Sequence, residues 1–129
     1  MLTELTIKDF ISKVISNDPV PGGGSVSALN GALAAALSAM VANLTVGRKK
    51  YVEVNDLMQE LSARFEKLSQ KLIEDVDRDS DAYNRVFAAF KLPKETDEEK
   101  QVRSEAIQRE TKYAAQVPME VARAVYEVL

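Results

Sequence analysis

Residues 19–50 read PVPGGGSVSALNGALAAALSAMVANLTVGRKK, and this stretch decides the fold. From Ser25 to Val46 it holds neither a charged residue nor a proline. Alanine, leucine and methionine dominate it, and these are strong helix formers. The pattern predicts a helix from Gly24 or Ser25 to about Val46, with Gly47 as the C′ residue that ends it. At about 100° per residue the helix carries three stripes. Ser27, Gly31, Ala35, Ser38, Ala42 and Thr45 form a small-residue stripe. Asn30, Leu33, Leu37, Val41 and Leu44 form a second, and Ala28, Ala32, Ala36, Ala39 and Asn43 a third. A helix without a charged face is expected to be buried on most sides. The fold class expected is therefore all-α: a long-helix bundle around this central, buried, small-residue helix, within a subunit or between two.

The rest of the chain agrees. Its 129 residues make one helical domain, 1–129, and of only five glycines three are consecutive. A sequence so poor in turn residues favours long helices over a many-stranded sheet. Thr6 can cap a short helix over roughly residues 7–16, with Asp9 in its first turn. The prolines at 19 and 21 stiffen residues 18–21 into a linker. Val54, Met58, Leu61, Phe65, Leu68 and Leu72 alternate at four and three residues, the seam of a third helix over about 54–90. Pro93 helps to stop it. Thr96 and Glu99 form a capping box for a fourth helix, which Pro118 kinks or divides from a fifth.

Composition removes whole classes of chemistry. The net charge is −3, without the basic stripe of a nucleic-acid binder. Cysteine and histidine are both absent, so there is no thiolate or imidazole metal site and no histidine base. Acid–base work falls to carboxylates, Lys, Tyr or bound water. Glu4, Lys8 and Asp9 come too early for a signal peptide. Residues 25–46 are the one membrane candidate, but Asn30 and Asn43 within an Ala- and Ser-rich run favour a buried soluble helix. The expected location is the cytoplasm.

Four features could carry chemistry. The Gly22-Gly23-Gly24-Ser25 loop allows unusual φ values and close approach of a ligand, and the helix start behind it offers free N–H groups. The alternative is a turn that only lets the helix pack. Asp79 falls about 20° from the centre of the third helix's seam, where Leu or Val would be expected. Tyr83 and Phe90 fall close to that centre, Asp75 lies near the edge of the face, and Asp77 and Asp81 point away. A carboxylate on a buried seam is either a functional acid–base group or a structural acceptor, facing for example Arg103 or Arg109. Asn43, an amide in an alanine stripe, could orient a ligand or tie two helices. Lys49 and Lys50, after Arg48, could receive an anionic ligand tail or simply complement the helix dipole.

Several blocks in order resemble one family. Pro19 to Ser25, Leu33 to Leu37, Met40 to Thr45, Gly47 to Tyr51, Asp79-Ser80-Asp81-Ala82-Tyr83, Leu92-Pro93-Lys94 and Val117-Pro118 are similar to the cyclodeaminase/cyclohydrolase family. This is the C-terminal domain of formiminotransferase-cyclodeaminase and its stand-alone relatives, the methenyltetrahydrofolate cyclohydrolases. The resemblance implies an all-helical, usually dimeric enzyme of one-carbon tetrahydrofolates, with no metal and no cofactor beyond the folate. The first expectation is hydration of the methenyl carbon to 10-formyl-tetrahydrofolate. A formimidoyltetrahydrofolate cyclodeaminase releasing ammonia, and a non-catalytic folate-binding or helical dimerisation module, are the alternatives. Asp79 would be catalytic. Gly22, Gly23, Gly24 and Ser25 would cradle the folate, Asn43 would orient it, and Lys49 and Lys50 would meet its glutamate tail. Domains of the family continue through further helices beyond the position of Leu129, so the chain is expected to be truncated at its C-terminus.

Overall fold

The computed structural model describes all 129 residues. Four helices carry the fold: α1 (Ile7–Ile15), α2 (Gly23–Thr45), α3 (Asn55–Phe90) and α4 (Asp97–Val128). Single 3₁₀ turns precede α1 at Leu2–Glu4 and α3 at Lys49–Val54. The ends follow the caps in the sequence. Thr6 accepts from the Asp9 amide, and Thr96 and Glu99 close a reciprocal capping box. Gly47, at φ 77°, is the one residue with positive φ. α4 runs through Pro118 as one helix, so there is no fifth.

Antiparallel pairing sets the architecture. Ser25 of α2 bonds to Val76 of α3, Ser69 to Ala32, and Ser62 to Asn43, so α2 runs antiparallel along roughly the first two thirds of α3. α4 then turns back along α3, with Arg85 meeting Glu110 and Arg78 meeting Glu120. The core lies where the three meet. Ala28, Ala32 and Ala35 of α2 pack on Leu68, Leu72 and Val76 of α3, with Val121 and Ala124 of α4 and Phe10 of α1 closing it. Gly31 faces both neighbours: a Cβ there would stand 2.7 Å from Val125 Cγ2 and 3.2 Å from Leu72 Cδ1.

α2 is not buried on most sides. Only small residues of it are buried, namely Ser25, Ala28, Gly31, Ala32, Ala35, Ala39 and Ala42, with Val26 and Leu29 packed partly against the core. Leu33, Leu37, Met40, Val41 and Leu44 remain 49–60% exposed. Small residues win the interior because they let two backbones approach closely, and the bulkier stripe is left on the far side. By length and hydropathy α2 could also cross a membrane, yet its small face is packed against α3 and α4.

The α3–α4 contact is electrostatic as well as apolar. Arg85 Nε lies 2.7 Å from Glu110 Oε2, and Arg109 Nε 3.0 Å from Oε1 of the same carboxylate. Bonds from Arg85, then from Arg109, hold the Glu110 carboxyl below its ordinary value of 4.5. Arg78 does the same to Glu120. A depressed carboxyl contributes stability that is present above its unfolded value and is lost as pH falls through its folded one. Acid titration of unfolding should therefore show a loss below about pH 4.5, and Glu110→Gln should make that limb shallower while lowering stability at neutral pH.

Candidate functional site

The N-terminus of α2 and the middle of α3 meet at a single point. Asp79 projects from α3 onto the first turn of α2. A Cβ built on Gly24 would stand inside the Asp79 carboxylate, whose three terminal atoms are its three nearest neighbours. Only glycine leaves that carboxylate its place. The triplet thus serves room rather than backbone freedom: Gly22, Gly23 and Gly24 all have ordinary φ, and Gly23 already lies in the first turn of the helix. Around Gly23 there is open space, with nothing within 4 Å of a Cβ. The Val20–Pro21 peptide before the loop is cis.

The first-turn amides of α2 have no acceptor within the helix, and the helix dipole adds partial positive charge at that end. The site therefore combines a half-buried carboxylate with backbone donors on one open notch. Asp79 has no cationic partner, neither Arg103 nor Arg109. Arg103 donates to the Phe90 carbonyl, and Arg109 pairs with Glu110. Behind Asp79, Ser25 donates to the Val76 carbonyl oxygen at 2.7 Å and lies 2.9 Å from Ser80 Oγ.

Other carboxylates are placed differently from the seam reading. Asp75, expected near an edge, is 1% exposed. It is paired with Lys71 Nζ at 2.9 Å and Arg78 Nε at 3.2 Å. Tyr83 and Phe90, expected near the centre of the seam, are exposed. The cause is the length of α2. Its first residues stand opposite Asp79, so α3 runs on past them with only α4 beside it. Asp79 marks the end of the α2–α3 seam rather than its middle. Asp77, expected to point away, accepts from the Leu2 amide and from Thr3 Oγ1, and so ties down the N-terminal turn. Ser80 was not singled out by its position in the sequence, because it lies about 80° from the seam centre.

The remaining candidates do not converge on this notch within one chain. Ser25 belongs to it, but its hydroxyl is fully buried and engaged inward, so that group is closed to a ligand. Asn43 is exposed rather than buried. It accepts from Ser62 Oγ and lies 3.5 Å from Glu66 Oε1, a tie between α2 and α3. Nineteen residues of helix separate it from Gly24, about 28 Å. Lys49 and Lys50 lie beyond that far end, both exposed, with Lys50 over the Tyr51 ring at 5.6 Å.

The formiminotransferase-cyclodeaminase family matches residues 6–129. The chain belongs to this family. It is 42% identical over 124 residues to a methenyltetrahydrofolate cyclohydrolase of Methylorubrum extorquens, covering 96% of this chain and 60% of that protein. It is 35% identical over 127 residues to the formimidoyltransferase-cyclodeaminase of Rattus norvegicus, covering 98% of this chain and 24% of the rat protein. The crystal structure of a formiminotetrahydrofolate cyclodeaminase from Thermotoga maritima superposes with a TM-score of 0.80 at 34% identity, over 96% of this chain and 58% of that one. The chain thus spans about 60% of the length of the cyclohydrolase and of the solved cyclodeaminase.

The geometry separates two neighbouring glycines. Gly23→Ala should leave the notch unchanged and raise stability by about 0.4–1 kcal/mol in urea unfolding, since the position is open and its φ suits alanine. Gly24→Ala should gain nothing of the kind and should displace the Asp79 side chain, seen as a shift of its carboxyl-carbon resonance. An unmoved resonance in Gly24→Ala would contradict the contact.

Proposed function

We propose that the chain carries the catalytic notch of a methenyltetrahydrofolate cyclohydrolase. The observation behind this reading is the contact of Asp79 with Gly24 at the open end of α2, in a member of a family that includes such an enzyme. The methenyl carbon between N5 and N10 of the folate is cationic and electrophilic. A water oxygen bonds to that carbon while Asp79 takes the water proton as general base. The hydrated carbon then breaks its bond to N5: the electron pair goes to N5, which takes the proton held by Asp79, while the hydroxyl on the carbon gives its proton to solvent and becomes the formyl carbonyl of 10-formyl-tetrahydrofolate. Backbone donors of Gly23 and Gly24 stabilise the negative charge that develops on this oxygen as its hydroxyl proton leaves. The reaction needs no cofactor beyond the folate, and the setting proposed is the cytoplasm, away from membranes and nucleic acid.

Loss of the 5,10-methenyl-tetrahydrofolate absorbance should be faster with the protein than without it. Asp79→Asn should lower the rate by about 10²-fold or more while the helical circular dichroism is kept. A rate no higher than background, in this chain and in a chain extended with the relatives' remaining residues, would refute the reading. The names of the rat and Thermotoga relatives favour one second reading, the cyclodeaminase. There the formimino nitrogen leaves as ammonia while N10 closes onto the same carbon, and ammonia release from 5-formimino-tetrahydrofolate is its measurement.

The proposal includes a homodimer. Asp79 lines none of the main surface grooves, and the uncharged Leu33–Leu44 face of α2 stands open farther along that helix. An antiparallel pairing of two α2 helices would cover that face. It would also bring Lys49 and Lys50 of one copy toward the glycine end of the other, where a folate's glutamate carboxylates could meet them. Light scattering should give twice the chain mass, and Leu37→Glu should return the protein to monomer.

A further inference from the structure

Ser25 and Ser80 have no role at a ligand. Ser25 is 0% exposed and Ser80 5%. Buried hydroxyls must find partners. Ser25 Oγ has three in reach: the Val76 carbonyl oxygen at 2.7 Å, Ser80 Oγ at 2.9 Å and Asp79 Oδ2 at 3.4 Å. A hydroxyl has one proton to give and two lone pairs with which to accept. Ser80 can supply a proton of its own, whereas the carbonyl and an ionised carboxylate can only accept. The consistent arrangement is Ser80 donating to Ser25, and Ser25 donating onward to Val76 or to Asp79.

We propose that Ser25 is a positioning residue for Asp79, with Ser80 fixing the Ser25 hydroxyl from behind. When Asp79 is ionised, the Ser25 proton turns from the Val76 carbonyl to Asp79 Oδ2 and holds the carboxylate over the Cα of Gly24. The second carboxylate oxygen is left to take the proton of the attacking water. Once Asp79 is protonated, the Ser25 proton returns to Val76, and the carboxylic acid is released to deliver its own. No bond other than hydrogen bonds changes at either serine. This role rests on the reading of Asp79 as the base.

The test compares Ser25→Ala and Ser80→Ala with Ser69→Ala in the full chain. Ser69 makes the same kind of inter-helix bond, to the Ala32 carbonyl oxygen at 2.9 Å, but far from Asp79. Ser25→Ala should lower kcat by roughly tenfold with KM within about twofold, because the lost interaction matters only to the reacting group. The Asp79 carboxyl-carbon resonance should move as well, since a donor to that carboxylate is gone. Ser80→Ala should show the same changes to a smaller degree, and Ser69→Ala neither. Should Ser25→Ala fail to fold, Ser80→Ala carries the test. Unchanged kcat and an unmoved resonance in the serine variants that fold would overturn the proposal. If the parent chain shows no turnover, the folate reading fails on its own, and the serine role is then read by carbon NMR. The Asp79 carboxyl resonance should be displaced in both variants relative to the parent and unmoved in Ser69→Ala, and an unmoved resonance in both would overturn it.

Discussion

The close approach of α2 to α3 is the constraint on which the rest depends. It is made by Ala28, Gly31, Ala32, Ala35 and Ala39 lying against Leu68, Leu72 and Val76. Small side chains bury little area each, about 25 cal/mol per Å². Their value is that they leave the large residues of α3 to fill the gap, and that they bring α2 near enough for Ser25 and Ser69 to bond across it. Bulkier residues on that face would hold the helices apart. They would break both bonds and lift the first turn of α2 away from Asp79.

The α3–α4 hairpin is held by other means. Its apolar contacts are supplemented by Arg85–Glu110–Arg109 and Asp75–Arg78–Glu120, two clusters in which each central residue serves two partners. Asp75 and Glu110 are the buried members, and truncating the arginines that face them leaves a buried carboxylate uncompensated. The half of α3 beyond Asp79 is therefore braced by α4 alone. That leaves the α2 side of the notch open, as a site for a ligand requires.

Much of this was legible in the sequence because it is local. Helix ends at Thr6, Gly47 and Thr96 follow from capping chemistry within a few residues. The pairing of Gly24 with Asp79 was not local: the periodicity marked Asp79 as out of place and the glycines as unusual, but only their docking joins them. The misreadings share one cause. Periodicity assigns a buried face to a helix but not the point at which its neighbour ends. Tyr83 and Phe90 were placed on a seam that α2 does not reach, and Asp75 at an edge that α4 covers. Likewise, an uncharged helix reads as buried all round when one chain supplies only enough neighbours for half of it.

The bond from Ser25 to Val76 joins residues 51 positions apart, and Gly24 meets Asp79 across a similar span. Neither helix holds any part of the notch in usable form by itself. A molecule in which α2 has swung off α3, while the α3–α4 hairpin persists, keeps most of its helix and none of its site. Local opening of one segment and disassembly of the notch are then the same event. The fraction of molecules with an intact notch is set by the docking of α2, whose free energy can be far smaller than that of complete unfolding.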